Sequence, residues 1–270
     1  MDLDGTLRDQ YGKIPFSTVK LLKHIQRHGV KVVVVTGKML LSSRVFARQL
    51  GIKNLIICNH GAVVGDPVKN KILYEIRLPS SITAIINQFL KHFFGCQCYF
   101  SGNNQMHMVE NPHVNIEERY HIKNGFKIKR IWKLDDHLTR SVGRLRPSKI
   151  IFYTPIGKEG VYMRWLKSKL KKRAKVYRTK PGNVEISPIT VSKAKALNFV
   201  SKSLGVKPAQ IIAIGDEEND IPMIKFAGLG VAMQNAHQSV KKAANYITTR
   251  SNEEKGVEEV INKFILNPTP

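Results

Sequence analysis

The chain of 270 residues is 42% hydrophobic, 24% charged and 8% aromatic, with 19 Gly and 12 Pro, which excludes disordered, collagen-like and disulfide-dense classes and allows one large domain or two modest ones. Its 44 Lys+Arg against 20 Asp+Glu leave a net charge of +24 and an isoelectric point near 10.0, so an anionic partner is expected: nucleic acid, an acidic membrane surface or a phosphorylated substrate. With no apolar run near the roughly 18 residues that span a bilayer, no signal-peptide pattern at Met1-Asp2-Leu3-Asp4 and only Cys58, Cys96 and Cys98 as thiols, the expected setting is the reduced cytoplasm, off the membrane.

In chain order, Val19, Leu22, Ile25 and Val30 recur at helical spacing ahead of the run Val32 to Val35, which is too short for a helix and reads as a buried strand. A second helical stretch runs from about Lys38 to Leu50, closed by Gly51, and a second buried strand follows at Leu55 to Cys58. Gly65-Asp66-Pro67 then breaks this rhythm, and Pro181-Gly182 lies near the end of the interruption. Between them the pattern predicts a helix from Ser81 to Phe94, strands near Gln105 to Val109 and Lys149 to Tyr153, and a basic helix from Val161 to Lys172. The isolated pair Cys96 and Cys98 reads as two ordinary thiols rather than a metal site. After the interruption come a helix from Ser192 to Leu204 capped by Gly205, a strand at Ile211 to Ile214, a helix near Ile221 to Ala227, and short strands near Gly230 to Met233 and Tyr246 to Thr248. The expected architecture is α/β: a Rossmann-like parallel-sheet core formed by residues 1–63 and 187–270, with an α+β cap inserted at 64–186. Charge follows this division, because residues 64–186 carry 24 basic against 9 acidic side chains.

Three stretches carry chemistry. In Asp2-Leu3-Asp4-Gly5-Thr6-Leu7 the two carboxylates sit two positions apart, so an extended backbone points both to one side. One can stay ionised as nucleophile or metal ligand while the other carries a proton, although alone the pair fits a polar turn equally well. Val35-Thr36-Gly37 ends a predicted strand at the edge where open α/β sheets bind ligands, or is simply a helix cap. Gly215-Asp216-Glu217-Glu218-Asn219-Asp220 ends another strand at that edge, and four acids in five positions call for a cation with oxygen ligands such as Mg²⁺. Ser192-Lys193 opens the helix before that strand, where a lysine can neutralise a phosphate.

Together these residues resemble the haloacid dehalogenase (HAD) superfamily, specifically its Cof-type phosphatases with a large cap between the second and third motifs. Asp2-Leu3-Asp4-Gly5-Thr6 matches the DxDGT motif, Thr36-Gly37 the second, Lys193 the third, and Gly215-Asp216 with Asn219-Asp220 the fourth. Val184 to Pro188, Gly230 to Ala236 and Ser251 to Val257 are also similar to Cof-type stretches. The resemblance implies a Mg²⁺-dependent phosphomonoester hydrolase working through an aspartyl-phosphate, with sugar phosphates or similar small metabolites as substrates. Asp2 is then the nucleophile and Asp4 the general acid and base. Mg²⁺ is held by the Asp2 carboxylate, the Asp4 carbonyl and Asp216, while Thr36, Gly37, Lys193 and Asn219 hold the phosphoryl oxygens and Asp220 orients Lys193 or a metal-bound water. Lys195 ranks second to Lys193, since helical geometry turns it away.

Three departures from the pattern carry expectations of their own. Only Met1 precedes Asp2 where the family supplies a strand of about five apolar residues, so the first core strand is missing and the natural start is expected upstream. Mass spectrometry of the native N-terminus tests this; a mature protein beginning at Met1 rejects it. Lys38 stands where many relatives carry arginine, which keeps charge but loses bidentate geometry. His60 takes the Asn position of an NGA-like turn, Asn59-His60-Gly61-Ala62, and is a candidate for substrate contact. Two alternatives stand beside the hydrolase: a catalytically impaired protein that binds nucleic acid or another polyanion through the basic cap, best supported by Lys167 to Arg173, and a phosphotransferase or mutase using the same intermediate.

Overall fold

The computed structural model describes residues 1–93, 97–102, 105–109, 130–132 and 144–268. Phe94 and Cys96 lie outside the described residues, as does the side chain of Cys98. The chain forms two compact units, Met1–Tyr74 with Ser192–Pro270, and Glu75–Val191.

The first unit opens with α1 (Phe16–Arg27), whose buried stripe is Thr18, Val19, Leu22 and Ile25, and α2 (Leu40–Leu50). Gly51, in the left-handed region at φ 71°, ends α2 by donating its N–H to the Ala47 and Arg48 carbonyls. Then come β1 (Ile56–Cys58), β2 (Val63–Asp66) and β3 (Lys71–Glu75), which pair in that order. β1 and β2, a pairing the sequence reading did not foresee, are antiparallel, with Ile57 opposite Val64, because a tight turn at Asn59–Gly61 sends the chain straight back. The first unit therefore runs through Tyr74, beyond the division at residue 63 read from the sequence.

The second unit carries α3 (Thr83–His92), strands β4 (Gln97–Gly102), β5 (Gln105–Val109), β6 (Arg130–Trp132) and β7 (Lys149–Tyr153), α4 (Glu159–Leu170), and strands β8 (Ala174–Lys180) and β9 (Asn183–Pro188). They form one six-stranded sheet in the order β6-β5-β4-β7-β9-β8. Its core packs Phe89 of α3 on Phe152 of β7, ring centroids 4.6 Å apart, with Leu166 of α4 fully buried alongside. The basic helix starts and ends two residues earlier than the sequence reading has it, and Lys171 to Arg173 form a separate 3₁₀ turn.

The first unit resumes with α5 (Lys193–Ser203), β10 (Ile212–Gly215), α6 (Ile221–Phe226), β11 (Leu229–Ala232), α7 (Gln238–Lys241), β12 (Tyr246–Ile247) and α8 (Gly256–Ile261). Strands β10, β11 and β12 are parallel neighbours. Between β1 and β10 lie two short pieces of extended chain. Val35 bridges Ile57 on one side and Asp2 on the other, both parallel, and Asp2 N–H donates to the Ile214 carbonyl at 2.9 Å. Among the described residues the strand expected at Val32 to Val35 makes ladder bridges only at Val35. Asp2, Thr36, Asn59 and Asp216 thus all emerge at the carboxyl ends of neighbouring strands, and the buried apolar residues Val35, Ile57, Ala196, Val200, Ala213 and Met223 pack beneath them.

Candidate active site

The structure gathers Asp2, Lys193, Asp216 and Asp220 at this edge. Asp2 is buried, and its Oδ1 accepts a hydrogen bond from Lys193 Nζ at 2.9 Å. Ser192 caps the start of α5 by accepting from Ala194 N–H, which fixes Lys193 at the first helical position, facing inward. Lys193 Nζ also donates to Asp220 Oδ1 at 2.5 Å. Burial works against its charge, but Asp2 and Asp220 outweigh burial and raise the lysine above its usual range. Lys195, two residues on, is exposed.

Asp220 is fully buried, and its Oδ2 accepts from the Asp216 and Glu217 N–H groups at 3.2 and 3.1 Å. Its role is to hold the turn after β10 and the lysine together. Asp216 instead meets the loop after Asp2, where Thr6 Oγ1 donates to Asp216 Oδ1 at 2.6 Å. Gly5 sits there at φ 80°, and a Cβ on it would lie 2.1 Å from Asp216 Oδ2. Only glycine meets both the backbone angle and the close approach.

Three carboxylates, Asp2, Asp216 and Asp220, offer oxygens that all lie within 4.8 Å of one another. Burial pushes Asp2 up to about 7 against the pull of Lys193, and pushes Asp216 up to about 8, with the Asp2 charge adding to the effect. Asp220 already accepts three hydrogen bonds, so Asp2 and Asp216 are the freer pair of this all-oxygen donor set, which fits Mg²⁺.

Thr36 is buried at the end of its strand, and its Oγ1 accepts from Lys38 N–H at 3.1 Å. Gly37 packs on the imidazole of His60, leaving no room for a side chain: a Cβ would lie 2.3 Å from His60 Cε1. His60 itself adopts a left-handed backbone, φ 57° and ψ 24°, uncommon for a residue with a side chain. Its N–H donates to the Thr36 carbonyl, and its Nδ1 lies 3.3 Å from Asn219 Nδ2. His60 thereby joins the Thr36–Gly37 turn to the turn after β10.

Asp4 faces a different environment. Half exposed, it is ion-paired with both Arg8 and Lys38. Burial raises its carboxyl, but Lys38 and Arg8 together outweigh that and hold it below the ordinary carboxylate range. Arg8 and Thr6 carry no assigned role in the sequence reading, although Arg8 follows Asp4 by four residues. Two asparagines are likewise new: Asn235 Nδ2 donates to the Gly5 carbonyl at 2.9 Å and Asn252 Nδ2 to the Arg8 carbonyl at 2.8 Å, so two distant loops fix the segment that carries Asp4.

Replacing Arg8 by Gln is expected to raise the Asp4 pKa by removing one of its two cations. If Asp4 supplies a proton during catalysis, the alkaline limb of the pH–kcat/KM profile moves to higher pH; an unmoved limb contradicts that role.

The sequence model of the haloacid dehalogenase-like hydrolases matches residues 1–261. The 5-amino-6-(5-phospho-D-ribitylamino)uracil phosphatase YcsE of Bacillus subtilis is 30% identical over 267 residues, covering 98% of this chain and 94% of YcsE, and the phosphatase YwpJ of the same organism is 27% identical, covering 98% of each. A solved haloacid dehalogenase-like hydrolase from Bacteroides thetaiotaomicron superposes with a TM-score of 0.82 at 28% identity, covering 97% of this chain and 96% of its own. Among the described residues no helix is long and apolar enough to cross a membrane. A near full-length match of this kind, on a chain whose acidic loop, buried lysine and second acidic turn meet at one sheet edge, establishes that the protein belongs to the haloacid dehalogenase-like hydrolases and is one of their phosphatases.

Proposed function

We propose that the protein hydrolyses phosphomonoesters of small metabolites, sugar phosphates foremost, through a phosphoaspartate on Asp2. The observation that carries this reading is the 2.9 Å contact between Lys193 Nζ and Asp2 Oδ1 within the three-carboxylate cluster: a nucleophile beside a fixed cation at a ligand-binding edge. YcsE is named for a substrate whose phosphate sits on a ribityl chain, which supports a polyol or sugar phosphate here.

In this mechanism Asp2 attacks phosphorus and Asp4 delivers a proton to the departing alkoxide. Asp4 then takes a proton from the water that opens the acyl phosphate. Thr36, the Gly37 amide, Lys193 and Asn219 hold the phosphoryl oxygens, with His60 placed to meet the substrate. Asp220 keeps Lys193 aimed at Asp2. Asp2, Asp216 and the Asp4 carbonyl would hold Mg²⁺, which would supply the charge cancellation that lets an anion approach an anion. The basic surplus of residues 64–186 draws anionic substrates toward the protein.

A panel of phosphate esters assayed with and without Mg²⁺ tests the proposal. Mg²⁺-dependent release of phosphate from sugar phosphates is expected; wild-type protein that turns over no ester in the panel defeats it.

Metal removal gives a second expected result. Asp2 and Asp216 titrate at about 7 and 8 in the folded protein against 3.8 ordinarily. The folded state therefore binds more protons than the unfolded chain across that window, and stability is lost as pH rises through it. In chelator the Tm should be lower at pH 8 than at pH 5.5, and Mg²⁺ should raise it at pH 8 far more than at pH 5.5. A Mg²⁺ effect independent of pH contradicts the assignment of these two carboxylates as its ligands.

A further inference from the structure

Asp4 holds one cation on each oxygen: Arg8 Nη1 donates to its Oδ1 and Lys38 Nζ to its Oδ2. Balancing one carboxylate takes one cation, and the chemistry proposed above gives neither of these two a task. The group formed by Asp4, Arg8 and Lys38 therefore carries a surplus positive charge.

Arg8 is held in place by its surroundings. Its Nε donates to the Gly12 carbonyl at 2.7 Å, its guanidinium lies over the Phe46 ring of α2 with Cζ 5.0 Å from the centroid, and its own carbonyl accepts from Asn252 Nδ2. A guanidinium set between a carbonyl and an aromatic face keeps its position whether or not its carboxylate partner is engaged elsewhere. Lys38 is fixed through its backbone instead: its N–H donates to Thr36 Oγ1, and its carbonyl accepts from Asn59 N–H at 2.9 Å. Its flexible side chain has Asp4 as its one ion-pair partner among the described residues. Solvent reaches all three groups, the side chains of Arg8, Lys38 and Asp4 being 20%, 26% and 50% exposed. A guanidinium offers five N–H donors and an ammonium three, so each cation can take a further oxygen besides Asp4.

Their placement says what that oxygen belongs to. In the reading proposed above, on which this inference rests, Asp4 hands a proton to the alcohol oxygen as it leaves phosphorus. Such a donor lies about 2.6–3.2 Å from that oxygen, and each cation sits one hydrogen bond further on, roughly 5–6 Å from the ester oxygen on the leaving-group side. The geometry points to a paired-cation subsite in which Arg8 and Lys38 bind a second anionic group, carboxylate or phosphate, carried on the alcohol about two or three carbons from the ester. Within the small-metabolite esters, the preferred substrate is then doubly anionic: the phosphate ester of a hydroxy acid or sugar acid, or a bisphosphate. Its reacting phosphate meets Lys193, and its second anion meets Arg8 and Lys38.

Calorimetric binding to the Asp2→Asn protein with Mg²⁺, which needs no turnover, tests this. Two matched pairs serve as probes, 3-phosphoglycerate against glycerol 3-phosphate and propane-1,3-diol bisphosphate against the monophosphate, so carboxylate and phosphate are read separately. In at least one pair the doubly anionic member is expected to bind at least about 10-fold more tightly. Adding Arg8→Gln or Lys38→Gln should cut that preference to about 3-fold or less, whereas Lys23→Gln on α1, which removes the same charge elsewhere, should leave it as it was. Equal affinities within both pairs, no binding of any probe, a preference that survives both substitutions, or an equal fall with Lys23→Gln overturns the inference. The Lys38 side chain reaches solvent, so its variant decides should Arg8→Gln fail to fold. Phosphate release by the wild-type protein is read separately: its absence from every probe defeats the proposed hydrolysis, while the affinities still decide the subsite.

Discussion

Asp2→Asn should lower phosphomonoester turnover by at least about 10⁴-fold, the scale seen when a covalent nucleophile is removed and only binding and electrostatics remain. The substitution preserves shape, and its amide oxygen still accepts from Lys193, which also keeps its bond to Asp220. The fold should survive. It should even gain stability in chelator at pH 8, because the variant no longer ionises a buried acid that burial has raised to about 7. An activity loss accompanied by a lower Tm under those conditions would point to a structural role for Asp2 instead.

Lys193→Met should damage both stability and chemistry. Asp220 is fully buried, and Lys193 is the cation on its Oδ1. Removing one member of a buried ion pair strands the other, at a cost of about 3–5 kcal/mol, and loss of a fixed donor to the phosphoryl group costs roughly 10²–10³ in kcat. The double variant Lys193→Met with Asp220→Asn separates the two effects. Stability should return in part, because the stranded charge is gone, while activity stays low. Recovery of activity in the double variant would show that Lys193 acts only by balancing Asp220.

Elements with a strong local signature were legible in the sequence. The stripe Val19, Leu22, Ile25 marks α1, and Gly51 marks the end of α2, because helical periodicity and a left-handed cap are local properties. The turn at Asn59–Gly61 was legible through the resemblance, but the antiparallel pairing of the strands it joins was not, since that pairing depends on residues beyond the turn. Val32 to Val35 has strand composition, yet its ladder depends on what lies beside it, and among the described residues only Val35 makes ladder bridges. At the site, motif spacing nominated Asp2, Lys193, Asp216 and Asp220, which the fold brings into contact. It left out Arg8, Asn235 and Asn252. Arg8 pairs with Asp4 four residues before it, while Asn235 and Asn252, although they lie in Cof-like stretches, reach the Gly5 and Arg8 carbonyls from far along the chain, which the stretch alone does not specify.

The account turns on phosphorus passing through the side chain of Asp2. Acid quenching during steady-state turnover of a phosphomonoester with Mg²⁺, followed by peptide mass spectrometry, reads this directly. The phosphoryl group should be found on Asp2, within the peptide that ends at Arg8, and should be absent from the Asp2→Asn protein. A phosphoryl group on any other residue, or full turnover by the Asp2→Asn protein, contradicts the account.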